Sequence, residues 1–217
     1  MKYQTRQMEP TLKQLAKSYP VIVLSGPRQS GKSTLARNVF KKHQYVSLED
    51  LDEREFAQSD PRGFLQQFES RVIIDEVQNV PSLFSYIQSI VDKNKIKAQF
   101  VLTGSSQLDL LEGVSQSLAG RACILQLLPL AYSEQIRTKR PSSIEDQIFS
   151  GSYPSIHFDQ IPVTHWYHDY CKSYLERDVR KLLNIKDLGT FQIFLKMCAA
   201  RCGQVINYSS FASDCGI

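Results

Sequence analysis

The stretch VIVLSGPRQSGKSTLARNVF, residues 21–40, decides the fold class. VIVLS is an apolar run of strand length, GPRQSGKS (26–33) matches G-x-x-x-x-G-K-[ST], and residues 35–40 resume with apolar side chains at helical spacing. Strand, glycine loop and helix, in that order, are the setting that gives the motif its physical meaning. The glycines let the backbone curl so that successive N–H groups face inward, and the helix N-terminus adds positive potential. Gly26, Pro27, Arg28, Gln29, Ser30, Gly31, Lys32, Ser33 and Thr34 are therefore expected to cradle the phosphates of a nucleotide. Lys32 would reach the β- and γ-phosphates and Ser33 would coordinate Mg²⁺. The bland alternative is a glycine turn without a ligand.

Outward from this loop the pattern repeats. Upstream, MEPTLKQLAKSYP (8–20) reads as a short amphipathic helix that starts at Glu9 and Pro10 and stops at Pro20. Downstream, YVSL (45–48), VIID (72–75), FVLT (100–103) and ACILQL (122–127) are candidate strands. Helices are expected after Asp60-Pro61, which supply an N-cap and first turn for Phe64, Leu65 and Phe68, and over 81–91 and 108–118. Five unbroken apolar strands separated by helices predict an α/β fold, a parallel sheet covered on both faces. After Pro129 the strand rhythm ceases. Helical periodicity over 163–183 and 191–200, with GSYP (151–154) as a turn, predicts an all-helical remainder. The expected division is a nucleotide-binding domain over 1–130 and a helical lid or linker, with the start of a further domain, over 131–217. The last residues, FASDCGI, follow cap-like Asn207 and Ser209, so the chain reads as one cut off inside a second unit.

Two further strand ends carry chemistry. RVIIDE (71–76) delivers adjacent acids, and because successive strand residues point to opposite faces the two cannot do the same job. Asp75 is expected beside Ser33 to hold Mg²⁺, and Glu76 to face the water that attacks the γ-phosphate. The alternative is a solvated strand end with a capping acid. FVLTGSS (100–106) ends in hydroxyls, and a strand inserted next to the loop strand would put Thr103 or Ser105 within reach of the γ-phosphate and that water. A simple Ser/Thr/Gly turn is the competing reading.

Composition bounds the rest. At 217 residues with 42% hydrophobic and 22% charged residues, the chain is an ordinary globular one, which excludes disordered, collagen-like and coiled-coil classes. The longest apolar runs, such as CILQLLPLAY, are too short to span a bilayer, and no basic leader with an apolar stretch is visible, so a soluble, cytoplasmic protein is expected. The five cysteines are odd in number and form no Cys-x-x-Cys pair, which suits a reducing compartment. The net charge of +4 divides evenly, 15 basic against 12 acidic residues up to position 110 and 11 against 10 beyond it, so it lends a nucleic-acid partner little support.

GPRQSGKSTL, VIIDEVQNVP, VLTGSS, SLAGR, LPL, GSYP and YLERDVR, in this order, resemble the prokaryotic AAA-superfamily ATPases whose AAA domain is followed by an uncharacterised C-terminal domain. The resemblance implies a three-layer P-loop NTPase fold with strand order 5-1-4-3-2, and ATP and Mg²⁺ as cofactors. It also implies a protein that hydrolyses ATP to drive a conformational change, with a homo-oligomer or a protein partner among the expectations. By the same likeness Arg121, in SLAGR, is a candidate arginine finger for the γ-phosphate of its own or a neighbouring chain. An arginine that compensates the carbonyls at a helix C-terminus stands beside that reading. Arg177 and Arg180 fit a salt-bridged helix surface better than a phosphate sensor. His165 and His168 share a helix face without a third metal ligand, and Cys198 and Cys202 read as buried helix residues. Two rivals stand beside the ATPase: a nucleotide-gated switch or DNA-associated regulator with slow hydrolysis, and a small P-loop kinase, against which the adjacent Asp75-Glu76 argues.

Overall fold

Val21 and Val23 point to one side of their strand while Ile22 and Leu24 point to the other, and all four are fully buried. This period-two burial places β1 (Val21–Ser25) in the middle of a sheet packed on both faces. The computed structural model describes residues 3–68, 70–105, 107–136, 143–159, 161–175 and 188–216. In it β1, β2 (Gln44–Ser47), β3 (Val72–Asp75), β4 (Phe100–Gly104) and β5 (Ala122–Gln126) form one parallel sheet in the order β2-β3-β4-β1-β5. This is the expected order, read from the other edge. The three inner strands are buried throughout, while β2 and β5 at the edges are partly exposed.

Helices cover both faces. Leu12 of α1 (Glu9–Leu15) and Leu35 and Ala36 of α2 (Lys32–Val39) pack with Ile22, Leu24, Ile73 and Val101 on one side. On the other side the strand residues Val21, Val23, Ile74 and Leu102 meet four helices. These are α3 (Leu51–Ser59), α4 (Pro61–Gln66), α5 (Leu83–Asn94) and α6 (Gln107–Ser117). Asp60 caps α4 as expected, its Oδ1 accepting the Gly63 N–H at 2.9 Å. The sequence reading has no counterpart for α3. Only Ala57 of that helix is buried, and Leu51 and Phe56 remain exposed, so no apolar stripe announced it.

The strand rhythm ends at Gln126, yet the first compact unit runs on to Val163. Side-chain and backbone hydrogen bonds hold the following segment. The Leu130 N–H donates to the Ser152 carbonyl at 2.8 Å, and Gln135 donates to the Leu130 carbonyl and the Ser152 hydroxyl at 3.0 and 2.9 Å. The described part of the second unit, Thr164–Ile217, contains the helices Leu188–Ala200 and Tyr208–Cys215, joined by a turn and irregular chain over 201–207. Its Trp166 is buried and stacks on Tyr170 with centroids 4.9 Å apart. Asn207 caps the final helix through the Ser210 N–H at 3.0 Å. Cys198 and Cys202 are exposed rather than buried, a correction to the sequence reading. Leu188–Ala200 is rich in apolar residues on several sides, and composition alone does not say which face is covered.

Candidate functional site

Strand register brings the chemistry to one edge. Ser25 is paired with Gly104 and Gln126, and Ser47 with Asp75, so the glycine loop, the acids and the hydroxyls all leave the sheet at the C-terminal ends of its strands. Ligands of open α/β sheets sit at that edge. The loop itself requires glycine at its first position. Gly26 has φ +143°, and a Cβ there would stand 2.2 Å from the Leu127 carbonyl oxygen. Gly31, at φ +94°, turns the chain into α2.

Lys32, only 5% exposed, folds back over the loop and donates to the carbonyls of Gly26 and Pro27 at 3.0 and 2.9 Å. Burial pulls its ammonium below the usual lysine range, while the Glu76 and Asp75 carboxylates act in the opposite direction. The Ser33 hydroxyl meets both oxygens of Asp75, at 2.9 and 2.8 Å. Thr103, at the end of β4, also donates to Asp75.

Glu76 lies just beyond the strand in a left-handed backbone conformation, φ 53°. That geometry is costly for a residue with a Cβ, and here it swings the carboxylate away from Asp75 towards β4. Its Oε2 accepts the Ser105 hydroxyl at 2.9 Å, the Ser105 N–H at 3.4 Å and the Gln78 amide. Adjacent acids thus face different partners, through the left-handed backbone at Glu76 rather than through the strand alternation expected from the sequence, because β3 ends at Asp75. Within the loop, Arg28 pairs with Glu49 at 3.6 Å, Gln29 takes φ 60° at the exposed tip, and the Thr34 carbonyl accepts from Asn38 at 2.8 Å.

Arg121 is not brought to this site. It precedes β5, at the opposite edge of the sheet, and the strand's five residues span about 16 Å at the usual rise. There it makes a surface pair with Asp92, at 2.6 and 2.9 Å, and donates to the Ala119 carbonyl at 3.1 Å, the carbonyl-compensating role. Arg177 and Arg180 lie outside the described residues. His165 and His168 are exposed, and His168 Nδ1 faces Asp169 at 3.3 Å. Among the described residues no cluster of three or more His, Cys, Asp or Glu side chains could hold a metal ion by itself, and no helix is long and apolar enough to cross a membrane.

Three residues at the site carried no signal in the sequence. Tyr45, on edge strand β2, donates its phenol to Asp75 Oδ2 at 2.8 Å, and burial together with the Asp75 charge pushes the phenol's pKa up. Gln78 reaches Glu76 from the turn after β3. Arg6, which also donates to the Leu128 and Pro129 carbonyls 122 and 123 positions downstream, donates to the Ser30 carbonyl at 2.8 Å. Only the paired strand and loop ends bring these positions together.

The donor set fits a magnesium–nucleotide. A hydroxyl and a carboxylate are hard oxygen donors of the kind Mg²⁺ takes, and the buried ammonium of Lys32 stands on the same loop. The Ser30 hydroxyl is also buried with no hydrogen-bond partner among the described residues.

Compared with known proteins, residues 18–136 match the family model described as AAA domain, and residues 141–217 match a domain of unknown function. Uncharacterized proteins of Mycobacterium tuberculosis and Mycobacterium bovis are 32% identical over 169 residues, 75% of this chain. The chain spans 37% of the length of those relatives. Among solved structures, a Walker-type ATPase of Pyrococcus abyssi is similar with a TM-score of 0.57 and 12% identity, covering 99% of this chain and 91% of that one. The Holliday junction branch migration motor RuvB of Thermotoga maritima is similar with a TM-score of 0.50 and 18% identity, covering 99% and 83%. At such identities the likeness is one of fold.

Proposed function

Because the chain belongs to the AAA domain family, we propose that it binds ATP with Mg²⁺ at the 26–34 loop and hydrolyses it to ADP and phosphate, driving a conformational change. The observation that carries this reading is the meeting of Ser33 with Asp75, beside a buried Lys32 and a separately held Glu76, at one edge of the sheet. Ser33 and Asp75 would hold the metal ion, which supplies charge neutralisation at the phosphate oxygens when bound. Lys32 exchanges its two carbonyl partners for phosphate oxygens. Glu76 has Oε2 occupied by Ser105 and Gln78, while Oε1 has no partner among the described residues and serves as the acceptor for a proton of the attacking water. Thr103 and Ser105, each bonded to one of the acids, link those acids to the end of β4.

Two variants test the roles. Lys32→Ala is expected to abolish ATP binding, measured by equilibrium titration. Glu76→Gln is expected to keep ATP bound while turnover falls by about 10²- to 10⁴-fold, the usual worth of a general base. Wild-type turnover in the Glu76→Gln protein would remove Glu76 from the mechanism. Release of inorganic phosphate from ATP with no acceptor added distinguishes hydrolysis from a kinase reaction.

A further inference from the structure

Arg6 is the most completely bonded charged side chain near the loop. It is 6% exposed and uses four of its donors: Nε to Glu134 Oε2 at 3.1 Å, one terminal nitrogen to the Ser30 carbonyl at 2.8 Å, and the other to the Leu128 and Pro129 carbonyls at 2.8 and 3.1 Å. Glu134 is itself 2% exposed. Besides Arg6, its oxygens accept the backbone N–H of Gln7 at 2.5 Å and of Ala131 at 2.8 Å. A buried ion pair contributes little net stability and is costly to break, so its position more than its energy calls for an account.

That position is informative because of peptide geometry. In a trans peptide the carbonyl of one residue and the N–H of the next point in opposite directions. All peptides described here are trans. With the Ser30 carbonyl drawn outward to a guanidinium, the Gly31 N–H must face the other way, into the loop. It donates to no acceptor among the described residues. The peptide lies next to a glycine at φ +94°, where rotation meets no Cβ, so the sequence of the loop alone does not fix which way it points. Turned over, it would aim a carbonyl oxygen at the phosphates.

We propose that Arg6, anchored by Glu134, is a positioning residue for nucleotide binding: it holds the Ser30–Gly31 peptide with its N–H towards the phosphates. The inference rests on the nucleotide reading above and adds a residue to it from outside the loop. Lysine cannot replace Arg6, because a single ammonium does not span Glu134 and three carbonyls in different directions.

The test is equilibrium binding of ATP and of ADP to the full chain carrying Arg6→Lys, Arg6→Gln or Glu134→Gln, below the melting temperature of each, together with turnover at saturating ATP. Both Arg6 variants should weaken ATP and ADP alike by about tenfold or more, the effect of losing a hydrogen bond from a charged donor. At saturating ATP their kcat should stay within about twofold, because the loss is one of uniform binding. Glu134→Gln, which keeps the guanidinium but weakens its anchor, should show a smaller loss of the same kind. In glycine-labelled wild-type protein, the Gly31 amide resonance should move on ADP binding, a readout that no folding defect can imitate. Wild-type affinity in folded Arg6→Lys protein, or a Gly31 amide that ADP leaves unmoved, overturns the proposal. A wild-type chain that binds no ATP instead sinks the underlying nucleotide reading.

Discussion

Asp75 shows how much one residue gathers that its neighbours in sequence do not reveal. Its carboxylate accepts from hydroxyls on three other elements: Ser33 in α2, Tyr45 in β2 and Thr103 in β4. Ser33 was legible because the loop motif names its own partner. Tyr45 was not, because nothing in YVSL says which strand it will lie against. Its phenol helps to orient the carboxylate that would hold Mg²⁺, and residues that orient a metal ligand typically affect metal affinity by tenfold or more. Tyr45 is 39% exposed, which puts it at the low end of that range. We therefore expect Tyr45→Phe to raise the Mg²⁺ concentration for half-maximal hydrolysis by about tenfold while ATP affinity in saturating Mg²⁺ is kept. A magnesium titration of turnover checks this, and an unchanged midpoint would show that Asp75 is held well enough by Ser33 and Thr103.

At the scale of the element, strands were read more reliably than helices. The inner strands are continuous apolar runs that nothing but a buried parallel strand explains, and their limits agree with the sequence to within a residue or two. Helices depend on which face is covered, which is why α3 went unread, whereas a helix was expected over 108–118, where α6 buries Leu110 and Val114. Helix packing also fixes positions that look free in sequence. A Cβ on Gly113 of α6 would lie 2.4 Å from the ring of Phe84 on α5, a side chain 1% exposed. Alanine there gains about 1 kcal/mol of helix propensity but forces overpacking that costs about 1–3 kcal/mol. The second effect is expected to win, so Gly113→Ala should lower the urea midpoint, whereas a rise would mean that α5 and α6 separate easily.

For the molecule as a whole, the pH dependence of stability offers a test away from the site. His43 sits before β2, with Nε2 2.7 Å from the Ala98 carbonyl and Nδ1 buried without a partner among the described residues. Burial lowers its pKa, Arg71 adds to the effect, and the Ala98 carbonyl opposes it. The folded protein thus disfavours the imidazolium that the unfolded chain accepts. Stability from this group is present above the unfolded value of about 6.5 and is lost as pH falls below it. Denaturation midpoints should drop between roughly pH 7 and 5, and His43→Gln should flatten that part of the profile. An identical slope in the variant would assign the acid sensitivity to carboxylates.

By itself the sequence determined the parallel sheet, the glycine loop and the identities of Lys32, Ser33, Asp75 and Glu76, because burial periodicity and a contiguous motif are local properties of a chain. Only the tertiary structure decided that Arg121 lies at the far edge of the sheet from the loop. It likewise decided that Tyr45 and Gln78 attend the two acids, and that Arg6, paired with Glu134 128 positions away, holds the Ser30 carbonyl. The physical reason is that strand order and register, which no single segment encodes, set what stands at the end of each strand.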